Sequence, residues 1–102
     1  MCEIVYLLTN QFPSDEKFGL TAQIKRCVVS VASNIAEGAG RNSKNEFKHF
    51  LSIALGSSYE LETQLILANR FNYFNKTQLE ALLAKLDEVQ KMIIGLQKSL
   101  LN

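Results

Sequence analysis

Side chains able to do covalent or metal chemistry are few in this 102-residue chain, and their spacing limits what they could do. Glu46 and His49 make a Glu-x-x-His step, the unit that di-iron helical bundles use twice, with two further carboxylates, to surround their metals. The chain has one histidine, so a complete two-step site within one subunit is impossible. His49 reads as a surface residue, and no metal or cofactor is expected. No serine, cysteine and histidine arrangement points to a covalent nucleophile. Gly38-Ala39-Gly40 lacks both the preceding strand and the Gly-Lys-Ser/Thr ending of a phosphate loop. The expectation is a protein that is not an enzyme.

The remaining polar groups suggest fixation and binding. Glu60 and Glu62 are the only charges between His49 and Arg70. An unpaired buried carboxylate is heavily penalised, so both are expected in structural ion pairs, within a chain or across subunits, rather than as catalytic acids. Arg26 and Arg41 are the natural partners. Ser33, Asn34, Glu37 and Arg41 form a second group, in which Glu37 and Arg41 have the helical spacing that lets opposite charges meet. Asn34, Glu37 and the nearby Tyr59 are read with the two carboxylates as structural or subunit contacts. After the glycines, Arg41, Asn42, Ser43 and Lys44 combine positive charge with the start of a helix, a place where phosphate can bind. Lys25, Arg26, Arg41, Lys44 and Lys48 are therefore the candidates for nucleic-acid contact, with His49 beside them. The net charge is only +1, so any such function must rest on a local patch.

These residues need helices to hold them. A single proline and five glycines favour long uninterrupted elements. The periodicity predicts a first helix over Glu3 to about Asn10, with Ile4, Val5, Leu8 and Phe12 on one side. A second runs from about Asp15 or Leu20 to Gly38, capped by Ser14 or Asp15 and ended by left-handed glycines, with Ile24, Cys27, Val28, Val31 and Ile35 inward. The third starts at a capping box of Ser43 and Glu46 and continues to about Asn69. The fourth repeats that signal at Thr77 and Glu80, then carries a heptad seam of Leu79, Leu82, Leu86, Val89, Ile93, Leu96 and Leu100. Short connections make neighbours antiparallel. The expected fold is an all-α, up-down-up-down four-helix bundle, one domain over residues 1–102.

The third helix has three apolar stripes where a monomeric bundle needs one. Phe47, Phe50, Leu51, Ala54, Leu61, Leu65 and Ala68 form the first, Leu55, Tyr59 and Ile66 the second, and Ile53, Leu67 and Phe71 the third. The surplus predicts burial against other copies of the chain. Cys2 and Cys27 have no CxxC spacing and read as reduced thiols. With no export signal and no apolar run of membrane length, the expected place is the cytoplasm.

The order and spacing of Phe12-Pro13, Glu16 to Thr21, Gln23 to Arg26, Ser33 to Gly38, Gly40-Arg41, Ser52 to Ala54, Gly56-Ser57 and Tyr59 to Leu65 carry a resemblance over roughly half the chain. The sequence resembles the bacterial four-helix-bundle proteins encoded within intervening sequences of 23S ribosomal RNA genes. That resemblance implies a homopentameric barrel. It also implies kinship with the accessory variability determinant of diversity-generating retroelements, a pentamer associated with RNA or DNA and a reverse transcriptase. Two departures stand out. The family commonly has proline where this chain has Ala32, so a kink there is expected to be milder. Its first helix is usually longer, so this chain is expected to begin late.

The leading expectation is a homo-oligomer that binds nucleic acid through basic residues repeated around a ring. Repetition gives avidity without an extreme charge on each subunit. The rival is a scaffold that recruits a partner protein such as a reverse transcriptase.

Overall fold

The computed structural model describes residues 1–14 and 19–101. It contains helices α1 (Cys2–Thr9), α2 (Leu20–Ala39), α3 (Lys44–Arg70) and α4 (Lys76–Ser99), with no strand among the described residues. Contacts fix their directions. Along α2, Cys27, Ser30 and Gly38 meet Glu60, Ser57 and Phe50, in that order, so α3 runs back against it. Cys2 reaches Val28 and Tyr6 reaches Lys25, which sets α1 antiparallel to α2. Ser52 meets Gln97 and Glu62 meets Gln90, which sets α4 antiparallel to α3. The result is the expected up-down-up-down order.

The bundle differs at its two ends. At 1.5 Å per residue, the 8 residues of α1 span about 12 Å and the 27 of α3 about 40 Å. Val5, Leu8 and Phe12 complete a core with Ile24, Cys27, Val28, Leu61, Leu65, Leu82 and Leu86 at the α1 end. Beyond its reach, α2, α3 and α4 alone enclose Val31, Leu51, Ala54 and Ile93. Ile4, expected in the core, is exposed, because so short a helix buries only its Val5 and Leu8 side.

The first apolar stripe of α3 is the interior: Leu51, Ala54, Leu61, Leu65 and Ala68 are all buried. Ile53, Leu67 and Phe71 of the third stripe remain 39%, 41% and 58% exposed. In α4, Leu82, Leu86 and Ile93 of the heptad seam are buried, and its other members are partly buried.

Three termini depart from the expected chemistry. Gly19 precedes α2 with no side-chain cap, so Ser14 does not cap it, and Asp15 lies outside the described residues. No described glycine has positive φ, and Gly40 is right-handed at φ −82°. Gly38 is needed for space instead, since a Cβ there would lie 2.8 Å from Phe50 Cβ and 2.9 Å from Phe47 Cδ1. The cap of α4 is Asn75, which forms a reciprocal capping box with Gln78, two residues before the expected Thr77 and Glu80. The preceding turn sets this register. Asn72 takes the left-handed conformation at φ 63°, and its N–H and that of Tyr73 donate to the carbonyls of Asn69 and Ala68, the Schellman ending of a helix. The Asn69 amide also donates to the Phe74 carbonyl at 3.0 Å.

Gly38→Ala should destabilise the fold by about 1–3 kcal/mol through overpacking. Gly95→Ala, where the added methyl meets open space, should instead stabilise α4 by about 0.5–1 kcal/mol. Denaturant unfolding of the two variants measures both, and equal effects would remove the steric role of Gly38.

Candidate functional site

The candidate basic residues fall at separate places. Arg41, at the turn between α2 and α3, is held by three neighbours. It pairs with Glu37, stands 3.7 Å from Glu46, and lies 5.0 Å from the centre of the Phe50 ring. Ser43 accepts from the Glu46 N–H at 3.2 Å, so one arm of the expected capping box forms while the Glu46 carboxylate reaches Arg41. Exposed ion pairs contribute little singly. Together they fix the turn and occupy the Arg41 charge. Lys44 follows in the exposed first turn of α3.

Lys25 and Arg26 lie about 20 Å away along α2. They border an open groove of about 580 Å³ that also includes Tyr6, Cys27, Ser57 and Glu60. The Lys25 ammonium stands 5.0 Å from the Tyr6 ring centre, and the Ser30 and Ser57 hydroxyls are 2.9 Å apart. Asn34 donates to the Ser30 carbonyl at 2.8 Å and hydroxyl at 3.0 Å, so its amide is tied to its own helix. The Cys27 thiol donates to Glu60 at 3.8 Å. Burial pushes the Cys27 pKa up, a Gln64 hydrogen bond opposes that rise, and the Glu60 carboxylate adds to it. Cations and a carboxylate thus share this groove.

The two α3 carboxylates sit in different surroundings. Glu62 is partly buried and accepts from the buried Gln90 amide at 3.1 Å. Glu60 is exposed, as is Tyr59. Neither Arg26 nor Arg41 forms an ion pair with either carboxylate among the described residues; a neutral amide serves Glu62 instead.

Lys48 belongs to a third place, a groove of about 350 Å³ between α3 and α4, with Ser52, Gln97 and Lys98. Sequence reading missed Lys98 because it lies 50 residues from Lys48. Only the antiparallel register of α3 and α4 joins them. His49 is exposed and edge-on to Phe50, with ring centres 5.6 Å apart. Among the described residues, no group of three or more His, Cys, Asp or Glu side chains could hold a metal ion.

Glu62→Ala should cost about 1–3 kcal/mol by stranding the Gln90 amide, and Glu60→Ala no more than about 0.5 kcal/mol. Comparable losses at both, read by denaturant unfolding, would mean that Glu60 contributes more than an exposed carboxylate does, through the Cys27 thiol or a contact outside the single chain. Cys27 gives a pH dependence. The folded thiol stays protonated above the pH at which the unfolded thiol ionises, so its contribution is full below the ordinary thiol pKa. It declines as pH rises toward the folded value. Unfolding between neutral pH and about pH 10 should show a loss that Cys27→Ala lacks.

No curated protein matches the chain. A crystal structure from Bacteroides thetaiotaomicron VPI-5482, of a protein of unknown function from the S23 ribosomal protein family, is similar to it at 30% sequence identity. The likeness covers 94% of this chain and 89% of that one, with a TM-score of 0.84. The family described as 23S rRNA-intervening sequence protein matches residues 1–95. None of the described helices is long and apolar enough to cross a membrane. With nearly the whole length matched and the four helices in place, the chain belongs to the 23S rRNA-intervening sequence protein family.

Proposed function

We propose that the protein is a non-enzymatic, cytoplasmic homo-oligomer, five copies in a ring as the resemblance implies, that binds nucleic acid through basic residues repeated around the assembly. The observation that carries the oligomer is the uncovered face of α3. Ile53, Leu67 and Phe71 are exposed along one stripe, and Gly56 beside them has nothing within 4 Å of where its Cβ would be. A helix-interior glycine costs about 0.5–1 kcal/mol relative to alanine. Gly95 is equally open, but Gly56 lies on the exposed apolar stripe, where the missing side chain leaves room for close approach of a second helix.

The binding half rests on Lys25, Arg26, Lys44 and Lys48, with Arg41 as the residue that shapes the turn between them. Their separation within one subunit favours a ring, because single cations repeated on several copies give a multivalent surface from a chain of net charge +1. The family's name makes RNA the first ligand to test. The rival reading is a scaffold whose ring recruits a partner protein such as a reverse transcriptase, and the same apolar face supports it.

Light scattering coupled to size-exclusion chromatography should give about five subunits at micromolar protein. Leu67→Glu should lower that number while helical content persists, because Leu67 is 41% exposed in the single chain. A monomer would overturn the ring. Fluorescence anisotropy with a structured RNA and a DNA duplex should show affinity falling steeply from about 50 to 300 mM salt. No binding to either by an intact oligomer at low salt would overturn the nucleic-acid reading and leave the scaffold.

A further inference from the structure

The antiparallel register of α3 and α4 brings the second and third turns of one beside the last turn of the other. There, Gln97 Nε2 donates to Ser52 Oγ at 3.2 Å. This fixes the hydroxyl as an acceptor from Gln97 and leaves its own proton free to donate elsewhere. Lys48 and Lys98 flank this pair, one from each helix, and among the described residues no carboxylate side chain lines the groove. Neither lysine has an ion-pair partner among the described residues, whereas Arg41, Lys76 and Lys91 do. The Lys25 and Arg26 groove, by contrast, contains Glu60.

Two lysines that line one groove with no described carboxylate beside them make it electropositive, and an anion bound there lowers that potential. The hydroxyl proton adds a third donor suited to an oxyanion. Ile94 and the exposed Leu101 supply an apolar flank that could cover a sugar or base beside the charge. A phosphodiester, with a charged group joined to less polar neighbours on both sides, matches that division better than a free inorganic anion does.

We propose that the α3–α4 groove is a nucleic-acid backbone site, with Lys48 and Lys98 flanking a phosphodiester and Ser52 donating to it. This rests on the nucleic-acid reading above and assigns it a place. Lys98, outside the candidates drawn from sequence, becomes a principal contact. The groove binds through phosphate and so accepts RNA and DNA strands of any sequence.

The test uses the full chain in its native oligomeric state. Anisotropy is measured with a labelled structured RNA and a DNA strand of the same sequence, across a salt series, for wild type, Lys48→Gln, Lys98→Gln and Lys98→Arg. Lys91→Gln, whose side chain pairs with Asp87 at 2.9 Å, is the control. Each glutamine variant in the groove should weaken binding to both strands and reduce the slope of log affinity against log salt by about 1 for every subunit whose groove holds a phosphate. Lys98→Arg should retain the wild-type slope, and Lys91→Gln should change neither quantity. Circular dichroism and light scattering show whether fold and subunit number persist. Wild-type binding with unchanged affinity and slope in both groove variants overturns this site and leaves the nucleic-acid reading standing. A weakened affinity with an unchanged slope also overturns the site, because it reports a structural effect rather than a lost phosphate contact. No binding by the wild type overturns both.

Discussion

The contact between α2 and α3 at Gly38 is the constraint on which the rest of the molecule depends. The missing side chain lets the end of α2 come against Phe47 and Phe50 in the first turns of α3. Once that crossing is set, the small groups Ser30 and Ser57 meet halfway along the two helices. Cys27 then falls opposite Glu60. The buried side chains Ile24, Val28 and Val31 face Leu51, Ala54, Leu61 and Leu65 across the same seam. α4 packs on what remains of the inner stripe of α3, and α1 closes one end. A wider crossing would move each of these layers at once, because interiors packed at crystal-like density have little slack.

Much of this architecture was legible from sequence because helical periodicity is a local signal repeated many times. The seam of α4 and the inner stripe of α3 could be read directly, as could the Ser43 start of α3 and the Glu37–Arg41 pair. The start of α4 was not, since Asn75 with Gln78 and Thr77 with Glu80 present the same kind of cap at the same spacing. Tertiary structure chose between them: Phe74 is buried, stacks on Phe12 at 5.9 Å and has its carbonyl held by Asn69, so the chain is released into a new helix only at Asn75. The glycines at the end of α2 are ambiguous in sequence for a related reason. A glycine that ends a helix by its φ and a glycine that makes room for a neighbouring ring look alike until the neighbour is in place.

The polar residues were harder to read because their partners are distant in sequence. Glu62 finds Gln90 rather than an arginine, since Arg26 of α2 lies in the groove with Glu60 while Glu62 meets α4. Arg41 finds three local neighbours, which removes it from the free cations although its surroundings look like a phosphate site. Lys48 gains a companion in Lys98 only through the hairpin of α3 and α4. Burial and pairing thus sort residues that share a charge into fasteners and available groups, a distinction that composition does not carry.

The short α1 has a consequence for how the molecule comes apart. It covers Val28, Leu61 and Leu82 with little more than two turns that carry Val5 and Leu8, and its only described polar ties to α2 are the weak Cys2 thiol bond and the Lys25–Tyr6 contact. Lifting it costs far less than separating α2 from α3. Its amide hydrogens are therefore expected to exchange with solvent through a local opening, and those in the middle of α3 only when the whole fold is lost. Each such opening uncovers a strip of core leucine and valine for a moment, so the end of the bundle with four helices, the better covered of the two at rest, is also the end that breathes.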